Sequence, residues 1–106
     1  MQDIRRKIMN IERNKQGNQL ELILDGKLDT AGAPSLEAVI TNELSGVETL
    51  VLNLAKLKYM SSAGLRTILL AQKTMNKQGK MIMRNVGEDV LDVLDMTGLT
   101  DLLTIE

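Results

Sequence analysis

The sequence predicts an α/β domain with a mixed, mostly parallel sheet of about five strands and three or more helices. Three observations predict it. Short apolar runs alternate with segments of helical periodicity, in the order β-β-α-β-α-β-α-β. One run, "ETLVLNL", is continuously apolar, as expected of a central strand covered on both faces. The length, 106 residues, suits one domain, so residues 1–106 are read as a single unit. Strands separated by helices pair in parallel through right-handed crossovers. An opening hairpin would add the antiparallel element that makes the sheet mixed.

The elements follow in order. Ile4 to Arg13 is ambiguous, because Ile4, Ile8 and Ile11 also fit helical spacing. A strand is preferred, since a hairpin with the next segment follows naturally. "RNKQGN" reads as the turn, with Gly17 in it. In "NQLELILDGKL", Leu20, Leu22 and Leu24 fall on one strand face. Pro34 is tolerated only in a first helical turn, so the first helix starts near Thr30 to Ala33. Its stripe is Leu36, Val39, Ile40 and Leu44, and Gly46 is its stop. After the central strand, Leu65, Ile68, Leu69 and Met75 share one helical face, away from Arg66, Lys73 and Lys77. Gly79 ends that helix and "KMIMRN" is the next strand. Asn85 and Glu88 are spaced as a capping box for a helix carrying Val90, Leu91 and Leu94, with Gly98 beyond it. "DLLTIE" reads as a last strand.

Composition removes whole classes of chemistry. The chain has no Cys and no His, so disulfides, thiolate nucleophiles, the usual zinc sites and a Ser-His-Asp triad are absent. No cofactor is expected. With one Tyr and no Phe or Trp, the core must be aliphatic, its gaps filled by some of the seven Met. A basic stripe or a set of stacking aromatics would mark a nucleic-acid binder, and neither is visible. No segment approaches the ~20 apolar residues that span a bilayer, and the opening residues lack a signal-peptide core, so a cytoplasmic address is expected. The net charge of −1 conceals an asymmetry. After Arg84 the chain has no cation, while Glu88, Asp89, Asp92, Asp95, Asp101 and Glu106 are acidic. That stretch is either a solvated face or a docking surface for a basic partner.

The stretch "YMSSAGLRTILLAQ" carries the functional question. A strand turning directly into a helix puts this loop at the carboxyl end of the sheet, where α/β proteins place their sites. Ser61 or Ser62 can serve as the helix N-cap. Catalysis fits poorly: no His can act as base, and "SSAGL" is neither a nucleophile elbow nor a phosphate-binding loop. A regulatory phosphate fits better. A helix N-terminus tolerates an added anion, so the surface potential can change sign while the fold stays intact.

At this loop the sequence resembles the STAS domain family of bacterial anti-sigma factor antagonists. The family carries a motif close to aromatic-Met/Ile-Asp-Ser-Ser-Gly-Leu, and Tyr59, Met60, Ser61, Ser62, Ala63, Gly64 and Leu65 correspond to it. "LDGKLDTAGAPSLEAVI" resembles the family's Gly-x-Leu-Asp segment. "GKMIMRNVGEDVLDVLDMTGL" resembles its fourth strand and following helix. The resemblance covers almost the whole chain. It implies that Ser62 is the phosphorylated serine, with Ser61 as second choice. Ser61 stands where the family has an acid, and Ala63 where it has its second serine. Asp29, Asn53, Ser61, Ser62, Gly64 and Arg66 are implied as partner-binding residues, Arg66 having a solvated helix position as its alternative.

What the resemblance implies is a partner switch and not an enzyme. Unphosphorylated, the chain would bind an anti-sigma factor that is also a serine kinase; that kinase would modify Ser62, and a serine phosphatase would reset it. The alternative is a constitutive STAS subunit, docked without phosphorylation on a transporter ATPase or a stress-signalling assembly.

Overall fold

The computed structural model describes residues 9–106. A hairpin opens the chain: β1 (Asn10–Gln16) and β2 (Gln19–Leu28) run antiparallel. Then follow α1 (Ala33–Glu43), β3 (Thr49–Met60), α2 (Ser62–Asn76), β4 (Lys80–Arg84), α3 (Glu88–Met96) and a 3-10 turn, Leu99–Leu102. The sheet order is β1-β2-β3-β4, with β2, β3 and β4 parallel. Because the strands advance in one direction, right-handed crossovers put α1 and α2 on the same face.

Strand alternation builds the core. Leu20 and Leu22 of β2 lie in register with Leu50 and Leu52 of β3 and Met81 and Met83 of β4, and all of these are buried, as is Leu24 at the irregularity between Ile23 and Asp25. Against them pack Leu36, Val39 and Ile40 of α1, Ile68 and Met75 of α2, and Leu94 of α3. Val51, on the other face of β3, is buried as well, which agrees with a central strand. Replacing a fully buried Leu here by Ala would cost about 2–5 kcal/mol.

Four expectations are corrected. The turn is shorter than "RNKQGN": Arg13 to Gln16 are paired strand, and Gly17 takes the left-handed φ of 60°. Polar residues at an exposed sheet edge hide a strand from an apolar pattern. The part of the opening segment before Met9 lies outside the described residues. Second, β3 runs well past "ETLVLNL" to Met60, because the long β2 continues to pair with it, as Gly26↔Leu57, Lys27↔Tyr59 and Leu28↔Met60. Third, no capping box forms. The N-cap of α3 is Gly87, while Asn85 is left-handed (φ 58°) and spends its amide on Asn53 Oδ1, 2.9 Å away. Fourth, the last strand shrinks to one bridge, Met83↔Ile105, so the sheet has four strands. Leu99–Leu102 wind as 3-10, which leaves only the last residues to reach β4.

Candidate functional site: the loop between β3 and α2

The overhang of β2 and β3 beyond β4 brings two loops together. β2 ends at Leu28 and β3 at Met60, paired in register, and the Ser61 N–H donates to Leu28 O at 3.0 Å. The Asp29–Gly32 turn and the two serines are therefore neighbours. Asp29 Oδ1 accepts from the N–H groups of Ala31 (3.1 Å) and Gly32 (2.9 Å), and its carbonyl from Ala33 N–H (2.7 Å). Its carboxylate shapes the entry into α1, where the N-cap Gly32 has no side chain to do so.

The two serines divide the labour. Ser61 is the N-cap of α2, with extended backbone (φ −100°, ψ 178°). Its Oγ accepts from Gly64 N–H at 3.4 Å and its carbonyl from Leu65 N–H at 2.9 Å. Ser62 is the first helical residue and is exposed. Among the described residues nothing holds its hydroxyl.

Gly64 makes this junction possible. A Cβ there would lie 2.3 Å from Leu28 O, closer than a carbon and an oxygen can approach. Gly64 is buried, so its part is to let α2 sit against the end of β2. Thr67, buried one turn later, donates its hydroxyl back to Ala63 O at 3.1 Å.

Between α1 and α2 runs an open groove of about 390 Å³. Thr30, Ala33 and Glu37 form one wall; Ala63, Arg66 and Leu70 form the other. Arg66 is exposed, and Tyr59, just before the serines, is 50% exposed. Sequence reading missed Glu37 and Leu70. The available signal was Leu70 itself, an apolar residue off the buried stripe of its helix.

Asn53 is not part of this cluster. It lies about seven residues back along β3, roughly 23 Å of strand at ~3.3 Å per residue. Its amide donates to Glu21 Oε2 (3.1 Å), and its Oδ1 accepts from Ala55 N–H (3.0 Å) and Asn85 Nδ2 (2.9 Å). Asn53 thus ties β2 and the exit of β4 to β3.

Among the described residues no cluster of three carboxylates is placed to hold a metal, and no helix is long and apolar enough to cross a membrane. Away from the loop, Arg13 Nε donates to Glu43 Oε1 at 2.7 Å. That hydrogen bond holds the Glu43 carboxyl below its ordinary value and the Arg13 guanidinium above it. Both side chains are well solvated, so the pair adds little.

Comparison with known proteins agrees with this architecture. The STAS domain model matches residues 10–106, and the chain belongs to that family. BtrV of Bordetella bronchiseptica is 30% identical over 99 residues, covering 92% of this chain and 85% of its own. The anti-sigma-B factor antagonist of Staphylococcus aureus is also 30% identical over 99 residues, covering 92% of both chains. Among solved structures, an anti-sigma factor antagonist from Mycobacterium paratuberculosis superposes with a TM-score of 0.82 at 18% identity, over 92% of this chain and 84% of its own. At that identity the superposition speaks for the fold.

Proposed function

We propose that this chain is an anti-sigma factor antagonist whose binding is controlled by phosphorylation of Ser62. The observation that carries this reading is the division between the serines. Ser61 holds the helix cap, and Ser62, next to it, is exposed. A phosphoryl group on Ser62 would leave the cap intact and set about −1.5 to −2 charges on the residue before Ala63, which lines the α1–α2 groove. The positive end of the α2 dipole tolerates that charge, while an approaching partner meets it. Relatives named as anti-sigma factor antagonists, at 30% identity over nearly the full chain, support the partner class.

In this reading the unmodified chain binds an anti-sigma factor of the serine-kinase type and displaces its sigma factor. The kinase transfers a phosphoryl group to Ser62 and the complex separates; a serine phosphatase restores the binding form. Asp29 acts by shaping the neighbouring turn, and Gly64 by seating α2. Ser61 in place of the family's acid removes a negative charge beside the modified hydroxyl.

Phosphopeptide mapping of protein from its native host tests the proposal. Cleavage after Lys58 and Arg66 releases "YMSSAGLR", which contains both serines of the loop and no others. Phosphate on Ser62 is expected. Phosphate on Ser61 alone would overturn the assignment, and none under several growth conditions would favour the constitutive subunit.

A further inference from the structure

Ser62 and Arg66 are i and i+4 of α2, and both are exposed. Side chains so spaced stand ~5–6 Å apart at Cβ, and an anion placed before the cation is the favourable order. The charged residues of α2 are Arg66 and Lys73, both cations. Leu69 and Leu70 lie between them, and the four line a shallow groove. Arg66 and Leu70 also line the α1–α2 groove, so Arg66 stands where the two meet. Glu37 is the acid across that second groove, and no ion pair joins it to Arg66 among the described residues. A guanidinium can hold two phosphate oxygens in a planar, bidentate fork, whereas an ammonium acts as a point charge.

We infer that Arg66 reads the state of Ser62. In the unmodified chain it is a docking cation, and the partner surface that fits its groove has carboxylates around an apolar patch. Modification by the kinase forms the Ser62 Oγ–P bond as the bond from the γ-phosphorus of ATP to the ADP oxygen breaks; ADP leaves, and the hydroxyl proton passes to a base of the kinase. The phosphoryl group then pairs with Arg66 on the same helix and withdraws that cation from the partner. Release thus comes from the loss of a contact as well as from repulsion. This inference rests on Ser62 being the modified residue.

The test installs phosphoserine at position 62 during translation, so no kinase is needed. Phosphorus NMR then follows the second ionisation, which lies near pH 6 for an unperturbed phosphoserine. The full chain is compared with Arg66→Gln and Arg66→Lys. Asp29, Glu37, Lys27 and Lys58 are common to all three proteins, so the difference isolates position 66. A paired cation favours the dianion. The midpoint in the parent chain should therefore lie roughly 0.15–0.4 pH below that of Arg66→Gln, the size expected of an exposed i,i+4 pair. Arg66→Lys should fall between, and added salt should narrow the gap. Coincident curves for the parent and Arg66→Gln would overturn the inference. That failure is separate from failure of the Ser62 assignment, which peptide mapping decides.

Discussion

Helices α2 and α3 both follow parallel strands and start at the same end of the sheet, yet they are built as opposites. α2 is capped by a serine side chain, has no acid in its first turn and carries Arg66 and Lys73. α3 is capped by Gly87 without a side-chain bond, and its charged residues are Glu88, Asp89, Asp92 and Asp95. Carboxylates in a first turn stabilise a helix by neutralising the positive end of its dipole. α3 supplies its own. α2 leaves that end open, beside an exposed hydroxyl and a free edge of the groove. The difference separates a helix start that neutralises its own dipole from one that leaves it open, where the proposed modification of Ser62 would add the missing anion.

The largest expected effect tests the seating of the two helices. Gly64→Ala forces a Cβ against Leu28 O, whereas the corresponding Cβ at Gly87 meets nothing within 4 Å. Overpacking against backbone costs up to about 3 kcal/mol, and Ala returns about 1 kcal/mol of helix propensity. Gly64→Ala should therefore lose about 2 kcal/mol in denaturant titration, and Gly87→Ala, which only exchanges one N-cap residue for a poorer one, about 0.5–1 kcal/mol. Equal midpoints would mean that α2 is not held more tightly than α3.

The second test concerns charge at the start of α2. Ser62→Asp should weaken binding to a kinase-type anti-sigma factor by at least ~1.4 kcal/mol, a tenfold loss. Unchanged affinity in calorimetry would sink the switch. A third substitution sets the cap against the switch. Ser61→Ala should cost about 1 kcal/mol of stability, the usual worth of a serine cap. The bond from Gly64 N–H is long at 3.4 Å, which favours the lower half of that range. Partner affinity should fall much less than in Ser62→Asp.

The same contrast shows how much the sequence alone could reveal. Leucine alternation, Pro34 and the serine loop mark β2, α1 and the start of α2, because each is a local pattern with a local cause. The site's second wall was less legible. Glu37 faces the loop only once β2 and β3 are known to overhang β4, and that overhang arises from strand pairing, not from composition. Lys56, Lys58 and Tyr59 disguise the second half of β3 as a loop. Asn53 was placed on the correct strand, but its separation from the serines was not legible. Its distance from the serines follows from register, and its bond to Asn85 from a left-handed backbone that an Asn-x-x-Glu spacing does not announce.

The smallest expected effect is the one that separates the faces of the two helices. Asp92 and Asp95 are exposed on α3, and Met96 beside them is 86% exposed. An acidic rim around an apolar side chain could dock a basic partner, and the asymmetry of charge along the chain makes that the natural rival to the α2 face. The two surfaces demand partners of opposite sign. If binding uses Arg66 and the serine loop, Asp92→Asn with Asp95→Asn should change affinity by no more than ~0.3 kcal/mol, the level of long-range charge effects at moderate salt. The sign of even that small change is informative. Removing two negative charges makes the chain more positive, so an acidic partner should bind slightly better. A tenfold loss would move the docking surface to α3 and require a basic partner, leaving the open end of α2 without its assigned role.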